Sequence, residues 1–381
     1  MRIIQIGPFP VSNHLISGGV ESSVYGLALK QAQKHDVFVL DYPRKEYEDC
    51  VEIFGALTVF RFLNRGSRNR DTIGRISEII DQIMKLDPSV CHIHGTGLFS
   101  WKVFDALKGK GIPTMLMVHG LVKEEKRKAL KNRFSFKTLY QLWTQTSAER
   151  KLLQSTSDAI VDTQYVVDQI GRYRLRSKPK LTVIPQGIDD VFFDLSCSRD
   201  SRMILSVGVF SPRKGHLLTI QAFERVSKQI PEATLTICGI VSDKAYFKDV
   251  VEYVNASPCK DKISILTNLP QDQLLTLYEQ ARVFALHSQE ESQGIVFAEA
   301  MAVGLPVVAT NVGGIPYVVE NRVTGLLSPY DDIDTFASSL ERLLTDDQEW
   351  IRMSVAGRSI SRKYAWDSIA QRVEAVYHTL L

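Results

Sequence analysis

Glu291 and Glu299 stand with seven residues between them, in a segment that opens at Ser288 as SQEESQGIVFAEAMAVGLPVVATNVGG. Carboxylates accept hydrogen bonds from hydroxyl groups, and pairs of hydroxyls are what sugars and ribose offer. Gly294 lies between the two acids, and a Gly313-Gly314 pair follows. Upstream, ARVFALHS (residues 281–288) reads as a buried strand, with Val283, Phe284, Ala285 and Leu286 continuous. Downstream of Gly294, the run from Ile295 to Ala302 is helical and is ended by Gly304 and Pro306. Glu291 is therefore expected in a loop at the C-terminal end of a strand, and Glu299 about one and a half turns into the next helix. The amides near Gly294, Ile295 and Val296 would be free of helical partners and sit at the positive end of the helix dipole, which suits a phosphate. An anion site with a carboxylate on either side fits a nucleotide sugar, with amides for the diphosphate and carboxylates for hydroxyls. The plainer reading is two surface glutamates flanking an ordinary strand-to-helix turn.

This segment resembles the E-x7-E signature of family 4 glycosyltransferases, retaining enzymes of the GT-B fold. The resemblance implies that Glu291 holds donor-sugar hydroxyls and Glu299 the ribose. Around Glu291 the family usually has Glu-Gly/Ser-Phe-Gly; here it is Glu291-Ser292-Gln293-Gly294, with Gln293 for the aromatic. Ser206 to Gly215 (SVGVFSPRKG) resembles the family's phosphate clamp, with Lys214 at the lysine position and Val209 where the family has arginine. Arg213, adjacent to Lys214, could supply the second cation. His119 after the strand Met115 to Val118 matches the histidine that contacts the donor sugar, and His94-Gly95 holds a similar strand-end place one unit earlier. Gly18 and Gly19, before a helix, resemble the glycine loop beside the diphosphate and acceptor. Val183 to Asp189 (VIPQGID) resembles the linker between domains, with Gln186 for asparagine, and Tyr364-Ala365-Trp366-Asp367 onward resembles the last helix returning to the first domain. The mechanism implied is retention, with the diphosphate itself taking the acceptor proton and the two domains closing on the donor. No cofactor is implied beyond the nucleotide-diphosphate sugar, and no metal.

Those residues need a scaffold, and the chain alternates strands and helices throughout. The first series comprises strands at 2–6, 36–40, 90–94, 113–118, 159–161 and 182–184, with helices at 19–32, 72–86, 101–108 and 165–171. The second has strands at 203–207, 234–238 and 263–266 and helices at 216–229 and 271–280, then the Glu291 segment and a helix at 335–344. Two such series imply an α/β protein of two Rossmann-like, doubly wound parallel-sheet domains facing a cleft at the C-terminal strand ends. The boundaries expected are 1–184 plus a crossover helix 365–381 for an acceptor-binding domain, and 185–364 for a donor-binding domain. Base contacts would come from Cys238-Gly239-Ile240 and Thr267-Asn268-Leu269.

Composition narrows the class. The chain has 381 residues, 44% of them hydrophobic, enough for two cores. No run of 18 uncharged apolar residues occurs, and MRIIQIGPFP passes straight into a strand, so neither a membrane span nor a signal peptide is expected. Five scattered cysteines without a CxxC fit core thiols in a reducing, cytoplasmic setting. Asp332-x-Asp334 has the look of a metal-binding pair but sits before a helix, where a capping role is expected. Gly7-Pro8-Phe9-Pro10 is not the GxGxxG of dinucleotide enzymes.

Charge is uneven. Residues 1–180 hold 28 Lys and Arg against 18 Asp and Glu, and the remainder 18 against 25. A basic first half is expected to meet something anionic. Its clearest stretches are Arg61 to Arg75 and Lys123 to Lys137, the second followed by Leu139, Tyr140, Leu142 and Trp143. That mixture suits peripheral contact with the inner face of an anionic membrane, or equally a solvated helix with core aromatics. No nucleic-acid motif accompanies the charge. Three readings stay open. One is a transferase moving a hexosyl unit from a UDP-, GDP- or ADP-sugar to a lipid-linked or polysaccharide glycan. Another uses a small or phosphorylated soluble acceptor. The third is a non-catalytic partner subunit, for which Val209 speaks.

Overall fold

The structure is a computed structural model that describes residues 1–11, 18–43, 49–63, 74–123 and 136–381. It divides into two compact units: one of Met1–Pro10, Gly19–Gly187 and Trp366–Leu381, the other built on Ile188–Ala365.

Unit 1 contains β1 (Arg2–Gly7), α1 (Gly19–Ala32), β2 (Asp36–Asp41), β3 (Cys50–Phe54), β4 (Leu57–Arg61), α2 (Ile76–Leu86), β5 (Val90–His94) and α3 (Leu98–Gly109). It continues with β6 (Thr114–Val118), α4 (Phe136–Ser155), β7 (Asp158–Val161), α5 (Gln164–Gly171) and β8 (Lys180–Val183). Its sheet runs β3-β4-β2-β1-β5-β6-β7-β8. All neighbours are parallel except β3 and β4, which form an antiparallel hairpin at one edge. The sheet is thus mixed, where two purely parallel sheets were expected. Strand order reverses between β1 and β5, and strand ends on either side of such a reversal part to leave a crevice where ligands bind.

Burial on both faces explains the apolar strand runs. Side chains alternate faces along a strand, so Leu116 and Val118 of β6 join one core cluster and Met115 and Met117 the other. Helix α13 (Trp366–Tyr377), at the C-terminus, belongs to the second of these clusters. Its Trp366 ring lies so close to Gly26 and Gly187 that a Cβ at either would fall within 2.5 Å of it.

Unit 2 contains α6 (Val191–Asp194), β9 (Met203–Val207), a 3-10 turn (Pro212–Lys214), α7 (His216–Gln229), β10 (Thr234–Gly239), α8 (Lys244–Ala256), β11 (Ile263–Thr267) and α9 (Gln271–Gln280). Then come β12 (Val283–Leu286), α10 (Ile295–Val303), β13 (Val307–Thr310), β14 (Gly325–Ser328), α11 (Ile333–Thr345) and α12 (Asp347–Ser361). The sheet is parallel with order β11-β10-β9-β12-β13-β14, and its reversal lies between β9 and β12. Again one strand serves two cores: Val283 and Ala285 of β12 face one cluster, Phe284 and Leu286 the other.

Several expectations need correcting. Arg61 is no surface cation: it is buried, with Asp41 and Glu52 each at 2.7 Å. Arg75, at the other end of that stretch, is committed to Asp49 and Glu78. A guanidinium taken out of water needs carboxylate partners, and β2, the hairpin with the residue before it, and α2 supply them. Residues 64–73 and 124–135, which carry most of the two basic stretches, lie outside the described residues. Helix α2 begins at Ile76, α3 begins at Leu98 rather than Trp101, and α4, α8 and α12 are helices the periodicity did not reveal.

Candidate active site

The chemistry-bearing residues of unit 2 gather at its strand-order reversal. β9 ends at Val207 and leads through Gly208 and Val209 into the turn that carries Arg213 and Lys214. β12 ends at Leu286 and leads through His287 to Glu291. The two loops are joined by the backbone: Gln289 N donates to Arg213 O at 2.8 Å. Gly215 makes the approach possible. Its φ is +64°, and a Cβ there would fall 2.0 Å from His287 O.

At this junction Lys214 Nζ donates to Glu291 Oε1 at 2.5 Å. Arg213 Nη1 lies 3.6 Å from Glu291 Oε2 and donates to Glu290 O at 3.2 Å. Both cations therefore point at one carboxylate, although they are sequence neighbours. Val209, at the family's arginine position, is half-buried and apolar. Ser288 Oγ adds a hydrogen bond to Glu291 Oε1 at 2.8 Å. Burial works to raise the Glu291 pKa, but the Lys214 and Arg213 charges, with the hydrogen bonds from Lys214 and Ser288, hold it below its ordinary value. The backbone is pinned as well. Gly314 N donates to Glu291 O at 2.7 Å, and a Cβ at Gly314 would come 1.8 Å from Ser292 O. The Gly313-Gly314 pair thus lets one loop press on the turn that aims Glu291.

Gly294 caps α10 with a φ of +80°, and Ile295 and Val296 form the first turn. Their amides precede the helical hydrogen-bond ladder and so stay available to an anion. One turn further, Glu299 accepts from the Tyr278 hydroxyl at 3.0 Å. Loss of solvent raises its pKa to about 7, against the Tyr278 hydrogen bond and with the Asp189 charge adding to the rise. One short segment therefore presents a carboxylate held ionised and another that exchanges its proton near neutrality. Gly239 and Thr267, from the two stretches expected to contact the base, are paired neighbours at the ends of β10 and β11.

Asp332 and Asp334 hold no shared site: Asp332 caps α11 by accepting from Thr335 N at 2.9 Å, and Asp334 pairs with Arg225 at 2.5 Å. Among the described residues no group of three metal-ligating side chains comes together.

In unit 1, His119 sits just past β6, buried, with Nε2 2.9 Å from Nδ1 of His94. Its Nδ1 stands 3.4 Å from Asp162 Oδ1, beyond β7. Gly18 is exposed with open space where a Cβ would stand, and Gly19 opens α1. Glu149 of α4 was not singled out by the sequence. Fully buried, it accepts from Thr96 Oγ1 and from Val122 N, each at 2.7 Å, and so ties together the loops after β5 and β6. Leu139, Tyr140 and Trp143 on the same helix are 44%, 65% and 72% exposed, so these side chains do not belong to the core. No helix among the described residues is long and apolar enough to cross a membrane.

Comparison with known proteins bears on the family and the fold. Residues 188–360 match the family described as Glycosyl transferases group 1, and residues 17–192 match Glycosyltransferase Family 4. The D-inositol 3-phosphate glycosyltransferase of Corynebacterium efficiens is 27% identical over 245 residues, which is 60% of this chain and 58% of that protein's length. Sucrose-phosphate synthase from Thermosynechococcus elongatus has a similar structure, with a TM-score of 0.83 at 21% identity, covering 100% of this chain and 99% of that one. HepE of Anabaena, solved with UDP and glucose, gives a TM-score of 0.73 at 16% identity, covering 100% of both chains. The two family matches together run from residue 17 to residue 360, and this chain belongs to the family 4 glycosyltransferases, with the two α/β domains, their sheets mainly parallel, of the GT-B fold.

Proposed function

We propose that the chain moves a hexosyl unit from a nucleotide-diphosphate sugar to an acceptor hydroxyl with retention at the anomeric carbon. The observation that carries this reading is the convergence of Lys214 and Arg213 on Glu291, beside the N-terminus of α10 and one turn before Glu299. Two cations and a set of helix amides suit a diphosphate, and a leaving diphosphate gains negative charge in the transition state, where fixed positive groups stabilise it most. The reading assigns that work to Lys214, Arg213 and the amides of Ile295 and Val296, without a metal. Glu291 and His119 orient the sugar and Glu299 holds the ribose. The acceptor oxygen attacks the anomeric carbon on the face from which the diphosphate departs. The bond from that carbon to the phosphate oxygen breaks, and the acceptor proton passes to the freed oxygen. No separate carboxylate base is needed, so catalysis is positional and electrostatic.

For the acceptor, the reading favours a lipid-linked or polysaccharide glycan on the cytoplasmic face of an anionic membrane. Exposed Leu139, Tyr140 and Trp143 beside a sequence rich in lysine and arginine support it, since such residues seat in a headgroup layer. Five free cysteines fit a reducing compartment. A small phosphorylated acceptor is the second reading, favoured by the names of relatives that act on inositol phosphate or make sucrose phosphate.

The test is nucleotide release from a panel of UDP-, GDP- and ADP-sugars, with and without membrane lipid extract. Release with one donor that needs the extract supports the first reading. Release with an inositol or sugar phosphate alone moves the account to the second. Absence of both release and any nucleotide-induced rise in melting temperature contradicts a transferase.

A further inference from the structure

Unit 1 buries a second polar arrangement at its own strand-order reversal, and it differs in kind from the charged junction of unit 2. Gln5 of β1, His94 of β5, His119 after β6 and Asp162 after β7 come from four consecutive strands of the sheet, all buried. Gln186, from the segment that leads out of unit 1, donates to Asp162 Oδ2 at 2.6 Å. Asp162 Oδ1 faces His119 Nδ1 at 3.4 Å without the alignment of a hydrogen bond, and among the described residues neither atom has a hydrogen-bond partner. His119 Nε2 meets His94 Nδ1 at 2.9 Å, and His94 Nε2 meets Gln5 Oε1 at 2.7 Å. The rings of His94 and His119 are nearly coplanar, at 9°.

The proton inventory follows from the far end. The amide nitrogen of Gln5 donates to Gln31 Oε1 at 2.7 Å and to the Tyr377 hydroxyl at 3.3 Å, so its oxygen is the atom turned to His94. An amide oxygen only accepts, hence His94 carries its hydrogen on Nε2. Burial, with His92 and His119 nearby, pushes the His94 pKa well below its ordinary value, so the ring is neutral and its Nδ1 is bare. The hydrogen between the two rings then belongs to His119 Nε2.

We propose that Gln5 and His94 are positioning residues that commit the Nε2 hydrogen of His119 to the interior and leave its Nδ1 edge, beside Asp162 Oδ1, as the face that meets a substrate hydroxyl. The inference rests on the reading that His119 contacts the donor sugar, and adds which atom does so and what fixes it. Asp162 becomes a specificity residue: its oxygen and Nδ1 form one acceptor edge, which a sugar lacking the corresponding hydroxyl would leave unsatisfied.

The direct test is nitrogen-15 NMR of the histidine rings in the full chain, with His119 assigned by loss of its signals in His119→Gln. The expected result is a protonated Nε2 and a bare Nδ1. Gln5→Leu removes the acceptor behind His94, lets His94 place its hydrogen on Nδ1, and should shift His119 toward the opposite tautomer. Turnover should fall about 10-fold, the lower end of what a metal-binding histidine loses without its orienting partner. UDP binding, which this reading assigns to unit 2, should hold, and an unchanged circular dichroism spectrum shows that unit 1, which carries Gln5, is folded. Gln5→Glu keeps an oxygen facing His94 and should restore both the ring signals and much of kcat. A hydrogen on Nδ1 in the unaltered chain, or His119 signals unmoved by Gln5→Leu, would overturn the proposal. His119→Ala with normal turnover, while the ring hydrogen lies where expected, would instead remove the substrate role of His119 and reduce the chain of bonds to a feature of the fold.

Discussion

Glu291 and Glu299 belong to one strand-turn-helix segment, yet their surroundings drive them opposite ways. Glu291, in the turn, is buried against Lys214, Arg213 and Ser288, and stays ionised below the ordinary carboxylate range. Glu299, in the helix, has a phenol for a partner and no cation beside it among the described residues, and its pKa rises to about 7. Burial alone does not set a carboxylate's state; the charge of what it is buried against does. It also separates two duties. An acid held ionised by the anion-binding cations is suited to respond when a diphosphate arrives, whereas an acid that binds a proton near neutrality accepts from ribose most strongly above that pH.

The strongest way to break this contrast is to take away the cation. Lys214→Ala should lower kcat for nucleotide release by about 10²- to 10³-fold, the range for losing one fixed donor to a developing anion. It should also destabilise the fold by about 3–5 kcal/mol, because Glu291 is left buried without its main counter-charge. Lys214→Ala combined with Glu291→Gln should recover the melting temperature but not the turnover. Recovery of both would assign Lys214 a purely structural role.

Glu299 gives the next largest effect. Glu299→Gln should weaken UDP binding about 10-fold, in line with a lost hydrogen bond to a charged acceptor. In the unaltered chain UDP should bind more tightly as pH rises through about 7, and the variant should show no such rise. Stability moves the other way. The folded state holds the Glu299 proton to about 7 and the unfolded chain to about 4.5, so this group's contribution is full below 4.5 and is lost as pH rises through about 7. Calorimetric titration and urea unfolding across that window read the two slopes.

Two buried histidines behind the same site should bend the acid side. His216, stacked on Phe210, and His287, packed on Tyr330 and Phe336, both have pKa values lowered to about 4 from 6.5, mainly by burial. Each is buried neutral, so its contribution to stability is present above 6.5 and is lost as pH falls toward about 4. Urea midpoints should decline over that interval, and His287→Phe should flatten the decline. The smallest effect is local: Asp332→Ala removes the α11 cap and should cost about 1 kcal/mol in thermal unfolding without changing nucleotide release.

Much of this architecture is written in local pattern. Helices at Gly19–Ala32, His216–Gln229 and Gln271–Gln280 have the bounds that their apolar spacing and flanking glycine or proline suggest. Continuous apolar runs such as Val283–Leu286 read as strands buried on both faces, and they are. The β3–β4 hairpin escaped notice because its strands are short, its turn is Gly55-Ala56, and Val51 and Ile53 lie exposed at the sheet edge. Helix α4 was hidden by its mix of polar, basic and aromatic residues, which follows no clean amphipathic period. Within the site, Glu291, Lys214 and Glu299 are legible through spacing. Tyr278, Glu149, Asp162 and Gln5 are not, since each gains its partner only when the fold brings separate segments together, whereas Ser288 is a local partner three residues before Glu291. Arg213 lies between these cases: its sequence position raised the question, and only the fold of the turn shows that it faces the same carboxylate as Lys214.

Lys214 and Arg213, on this reading, await a diphosphate while held on Glu291. Isothermal titration of UDP, GDP and ADP into Glu291→Gln and the unaltered chain tests it most directly. Freed of their carboxylate, the cations should bind the preferred nucleoside diphosphate about 10-fold more tightly, the change that one modest charge interaction produces, even as sugar transfer is lost. Equal or weaker binding by Glu291→Gln would contradict the account, because Glu291 could not then be what the diphosphate displaces.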